Sequence, residues 1–115
     1  MSKREWKFYI DDMISFANNV ESYCEGLDQV TFEKNGLNYD ATVRNIELIG
    51  EAATHISAEV RELYPNFPWR QVIATRNQLI HGYLGIDNDI LWNIIKEDIP
   101  ELIIELNKIK NSFDK

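Results

Sequence analysis

Arg76, Asn77, His81 and Tyr83 fall in one short run, Ala74-Thr-Arg76-Asn77-Gln-Leu-Ile-His81-Gly82-Tyr83. At about 100° per residue, Asn77 and His81 lie one helical turn apart on a single face. His81 stands about 140° around the axis from Arg76 by the same geometry. A long guanidinium side chain narrows that gap, the more so where Gly82 loosens the last turn. Tyr83 follows the glycine and can fold back over the helix end, while Leu79 and Ile80 face a core. An imidazole exchanges protons near neutrality because its ordinary pKa is about 6.5. A guanidinium offers a planar fork of donors to phosphate oxygens on which charge builds. The pair therefore suits metal-free cleavage of an RNA phosphodiester, in which a proton leaves the ribose 2′-hydroxyl and another reaches the departing oxygen. Asn77 would orient the imidazole or bind a sugar or phosphate oxygen. One Arg and one His make a sparse site, and a two-fold dimer would bring two copies together.

The same residues also fit a structural role. Near a helix C-terminus, Arg and His commonly do no more than satisfy carbonyls and the helix dipole. Spacing alone leaves both readings open.

The elements that must position this run read as helical almost throughout. Trp6, Tyr9, Ile10, Met13, Ile14, Ala17 and Val20 recur at three- and four-residue steps, a single amphipathic stripe that Gly26 can stop. Leu27 to Lys34 forms a shorter piece with Asp28 as its cap, and Asn35-Gly36 marks a turn. A long helix is predicted from Asn38 to Leu63, with Gly50 at its middle permitting close approach of another helix. Pro65 and Pro68 bracket a tight connection, and Pro68 suits the first turn of a helix over Trp69 to His81, ended by Gly82. Asp87 or Asp89 caps a last helical region, which Pro100 kinks or restarts. The expectation is an all-α, four- to five-helix up-down bundle, one domain over residues 1–115.

Composition narrows the class. The 115 residues suit one domain, and 44% hydrophobic residues with three Trp exclude a disordered chain. Apolar runs are too short to span a bilayer, and Asp11 and Asp12 interrupt any signal-like stretch, so a soluble cytoplasmic protein is expected. A single cysteine, Cys24, excludes an internal disulfide and a multi-cysteine zinc site. A net charge of −7 argues against a general nucleic-acid coat. The stretch 61–86 is the exception, with Arg61, Arg70 and Arg76 against only Glu62.

Arg76-Asn-Gln-Leu-Ile-His81-Gly-Tyr83 resembles the R-x4-H-x-Y motif of HEPN-domain proteins, specifically the HepT-like toxin ribonucleases. Three further blocks agree in order: Arg44-Asn-Ile-Glu-Leu-Ile-Gly-Glu51-Ala-Ala, Tyr64-Pro-Asn-Phe-Pro-Trp69 and Asp98-Ile-Pro100-Glu-Leu102. The resemblance implies an all-helical, homodimeric, metal-independent endoribonuclease needing no cofactor. It implies a toxin–antitoxin pair with an MntA-like minimal nucleotidyltransferase. Arg76 and His81 match the family's catalytic pair, and Tyr83 matches the tyrosine that the partner modifies with AMP. Such a modification adds bulk and negative charge beside a site meant for phosphate.

Other residues carry two readings each. Glu51 either pairs with Arg76 or orients His81, or is an exposed helical carboxylate. His55 is read as a surface or helix-pair histidine, and Arg44 and Arg70 as salt-bridge partners that can add phosphate affinity. Trp69 and Trp92 are expected in the core or a dimer interface, Cys24 as a buried hydrophobe, and Asp87 and Asp89 as caps rather than metal ligands. The competing functional reading is a noncatalytic helical partner that presents a substrate or nucleotide to a nucleotidyltransferase. A third is a purely structural helical dimer.

Overall fold

The computed structural model describes the backbone of residues 3–79 and 85–113 and the side chains of residues 5–75 and 85–113. Seven α-helices run in chain order: α1 (Lys3–Cys24), α2 (Gln29–Lys34), α3 (Gly36–Thr54), α4 (Ala58–Leu63), α5 (Trp69–Leu79), α6 (Asn88–Asn93) and α7 (Ile99–Phe113). A π turn, Ile94–Asp98, joins the last two. The all-α expectation holds over the described residues.

The α1 stripe behaves as its spacing predicts. Ile10, Met13, Ala17 and Val20 are fully buried, and α1 packs mainly on α3 and α7. The pairs show that α1 runs antiparallel to both. Tyr9 stacks on His55 at 5.1 Å, whereas Asn19 donates to Asn45 Oδ1 at 3.1 Å and Cys24 meets Thr42 at 3.6 Å. On the other side, Lys7 Nζ donates to the Phe113 carbonyl at 3.3 Å and Asp11 pairs with Lys110 at 3.1 Å. Gly26 ends α1 region with φ +76, a conformation that disfavours any residue with a Cβ. Asp28 caps α2 as expected, in a reciprocal box with Thr31.

One expectation needs correction, and another holds in a particular form. The long helix over 38–63 is two helices, α3 and α4, because Ser57 adopts an extended conformation and its hydroxyl accepts from the Val60 N–H. Arg61 Nη2 donates to the Ala53 carbonyl at 3.0 Å and closes the end of α3. The apolar stripe hides this break, since Ile56 and Val60 on either side of Ser57 are both buried. The last helical region is likewise divided. Pro100 has no N–H and its ring would press on the Lys96 carbonyl of a regular helix. The backbone widens over Ile94–Asp98 instead, and the Ile99 N–H reaches the Ile94 carbonyl. Pro68 also sits just before α5, where its carbonyl accepts the Val72 N–H at 3.0 Å.

Candidate active site

Helix α5 carries the motif, so the site begins with what holds α5. Trp69 anchors its start: the ring is buried, lies 4.3 Å from Phe67, and Nε1 donates to the Tyr64 carbonyl at 3.1 Å. One turn later α5 presses on α3. A Cβ built on Gly50 would lie 3.1 Å from the Val72 carbonyl oxygen and 3.6 Å from that of Ile73. The predicted close approach is thus at Gly50, and its partner is the backbone of α5. Arg76 and Asn77 follow within the helix, their side chains outside the described residues. His81 and Tyr83 also lie outside the described residues, as does the predicted Gly82 stop.

Description resumes at Gly85, whose φ of +90 turns the chain toward α6. Asp87 then caps α6, accepting from the Asp89 and Ile90 N–H groups. The start of α6 is tied to two other helices. Tyr39 of α3 donates its hydroxyl to Asn88 Oδ1, Asn88 Nδ2 donates to Glu33 Oε1 at 3.0 Å, and Gln29 Nε2 donates to Asp89 Oδ1 at 2.8 Å. Burial pushes the Tyr39 phenol above its ordinary pKa, with Glu33 and Asp40 adding to the effect, so the hydroxyl keeps the proton it donates. Phe32 fills the space beneath, 5.4 Å from Tyr39 and 5.5 Å from Trp92. Nothing in the spacing of α2 pointed to this role. Its sequence signals were the Asp28 cap and the apolar Val30 and Phe32, of which Phe32 is buried and Val30 exposed; they place α2 without showing what it grips.

The remaining candidates sort by their contacts. Glu51 is exposed on α3, next in sequence to Gly50, and its carbonyl accepts from Thr54 Oγ1. His55 caps α3 and stacks on Tyr9, the helix-pair reading. Arg44 faces Glu47 at 3.7 Å, the salt-bridge reading, and Arg70 is exposed. Trp69 is a core residue, while Trp92 is half-buried with Lys96 Nζ 4.9 Å over its ring. Cys24 is buried, and burial raises its pKa against a smaller opposing effect of the Thr42 bond, so it stays a thiol. Among the described residues no three His, Cys, Asp or Glu side chains group closely enough to hold a metal ion. Nor is any described helix long and apolar enough to cross a membrane.

A groove of about 680 Å³ opens between α3, α5 and the π turn with α7. Gln71 and Thr75 line one wall, and Asp98, Glu101, Glu105 and Lys108 the other. Burial raises the Asp98 pKa, and the neighbouring carboxylates Glu101 and Glu97 add to the effect. A phosphodiester placed there would face three carboxylates and one ammonium. The groove therefore disfavours a polyanion.

Comparison with known proteins places these features in a family. The family model described as Ribonuclease HepT-like matches residues 13–109. A Methanocaldococcus jannaschii protein named as a candidate RNase is 41% identical over 102 residues, covering 89% of this chain and 94% of that protein. A Thermococcus cleftensis protein named as a candidate ribonuclease HepT is 33% identical, covering 94% of this chain and 98% of its own length. A second M. jannaschii protein, named as a gamma-glutamylcyclotransferase and candidate RNase, is 33% identical over 98% of this chain and 51% of its own. No solved structure gives a significant match.

Proposed function

The chain belongs to the HepT-like ribonuclease family, and we propose that it is a metal-independent endoribonuclease toxin in which His81 moves protons and Arg76 clamps the phosphate. The observation that carries this reading is the seating of α5. Its backbone contact with α3 at Gly50 and the buried Trp69 fix the helix that bears Arg76 and Asn77, and the capped α6 fixes the chain after His81 and Tyr83. A site that must be accurate to well under an ångström needs such supports on both sides.

In the reaction, the O2′–P bond forms as the P–O5′ bond breaks. His81 takes the 2′ proton or supplies the one that O5′ needs, and Arg76 neutralises the phosphate oxygens as their charge grows. Asn77 orients the imidazole or holds a sugar or phosphate oxygen, and Glu51 of α3 supports Arg76 or His81. A homodimer of this single HEPN-type domain supplies two copies of the Arg–His pair, so that one acts as acid while the other acts as base. Pooled positive charge also answers the −7 of each chain, because acidic groups farther than about 8–10 Å are largely screened at physiological salt. The partner is an MntA-like nucleotidyltransferase antitoxin in the same cytoplasm, and its addition of AMP to Tyr83 silences the site.

The test is RNA cleavage in EDTA by the native protein and by His81→Ala. Loss of one general acid/base should lower the rate by about 10²–10⁴-fold, with an unchanged circular dichroism spectrum. Native-rate cleavage by the variant, or none by the native protein, overturns the reading.

A further inference from the structure

We propose that Tyr39, Glu33 and Asn88, with Gln29 and Asp89, form a clasp that positions the Arg76–His81 site by holding the chain on its far side; this rests on the ribonuclease reading above. Helix α6 does not need these bonds for its own sake. Asp87 already satisfies the N–H groups of Asp89 and Ile90, which is the local requirement of a helix start. The side chains of Asn88 and Asp89 reach instead across sequence separations of 49, 55 and 60 residues to α3 and α2.

The polarity of the chain of bonds is definite. The Tyr39 hydroxyl donates to the amide oxygen of Asn88, and the amide nitrogen of Asn88 donates to the Glu33 carboxylate. One amide thus reads a donor on one side and an acceptor on the other, which fixes its orientation. Phe32 is 1% exposed and stacks against both Tyr39 and Trp92, so α2 cannot slide without opening the core. Upstream, α5 is immobilised at Gly50. Helix α5, which precedes His81 in the chain, and helix α6, which follows Tyr83, are thus each held to the core, and the clasp is the downstream tie. These five are positioning residues, which act through the helices they hold.

Reversing one hydrogen bond tests this. In Asn88→Asp, the new carboxylate still accepts from Tyr39 but confronts Glu33 with a like charge. A carboxylate in the first turn of α6 suits the helix dipole, so the helix itself is not lost. Glu33→Gln retains an acceptor for Asn88 and should be near neutral. The double variant Glu33→Gln/Asn88→Asp restores the bond with donor and acceptor exchanged. The expected pattern for RNA cleavage, measured well below each melting temperature, is a kcat about 10–100-fold lower for Asn88→Asp with unchanged KM. The single Glu33→Gln should match the native rate, and the double variant should regain most of it. Native kcat in Asn88→Asp, a loss in KM rather than kcat, or no recovery in the double variant overturns the clasp alone. Absence of cleavage by the native protein instead removes the ribonuclease reading, and the clasp with it.

Discussion

Replacing Gly50 by alanine puts a methyl group 3.1 Å from the Val72 carbonyl oxygen, with the Ile73 carbonyl at 3.6 Å. Two effects of opposite sign then compete. Alanine is the better helix former by about 1 kcal/mol in a helix interior. Overpacking a tight contact costs about 1–3 kcal/mol, and here the atoms in the way are backbone oxygens of α5, which cannot swing aside as a side chain would. The second effect should win by about 1 kcal/mol, lowering the melting temperature by about 4 °C in a domain of this size. Gly36→Ala is the internal control. Gly36 opens α3 with nothing within 4 Å of its built Cβ, so alanine there should raise stability by a few tenths to about 1 kcal/mol. Thermal and urea unfolding of both variants measure the two signs, and RNA cleavage by Gly50→Ala should fall as α5 is pushed from its seat. If Gly50→Ala melts higher than the native protein, as Gly36→Ala should, then α5 is not held by backbone contact and the account of the site's support is wrong.

Two further outcomes follow from named groups. Asp98 has a raised pKa, chiefly from burial and then from Glu101 and Glu97. Between the ordinary carboxylate value near 3.8 and its own, the folded chain binds more protons than the unfolded, so stability falls as pH rises through that window. Asp98→Asn should remove this slope, giving a higher urea midpoint than the native protein at pH 7 and an equal one in acid below the ordinary value. A lower midpoint at pH 7 contradicts the crowding of charge in the groove. Tyr83→Phe should leave RNA cleavage largely intact yet prevent the mass gain on incubation with ATP and the nucleotidyltransferase; an undiminished adduct would place the modified hydroxyl elsewhere.

Much of the architecture was legible because it is local. The α1 stripe, the Asp28 and Asp87 caps and the glycine at a helix contact each follow from a few neighbouring residue types, whose preferences act within one or two turns. The break at Ser57 was less legible. Ile56 and Val60 remain buried on both sides of it, so the hydrophobic period carries straight through while the backbone does not. The π turn was anticipated only as a kink, since Pro100 states that a regular helix is disfavoured without stating which geometry replaces it.

The candidate site divides along the same line. Its chemistry is a property of residue type, and Arg76, Asn77, His81 and Tyr83 announce an acid–base and phosphate-binding capacity through their order in the chain. Its supports are long-range. Gly50 meets Val72 and Ile73, and Tyr39 meets Asn88, only because α3, α5 and α6 converge after folding. A side chain's chemistry is set by covalent structure, whereas its neighbours across 49 residues are set by the burial of a shared core. The helical class and the candidate groups could be read along the chain because they depend on local residue types, whereas the contacts that hold α5 and α6 arise only where distant helices share a core.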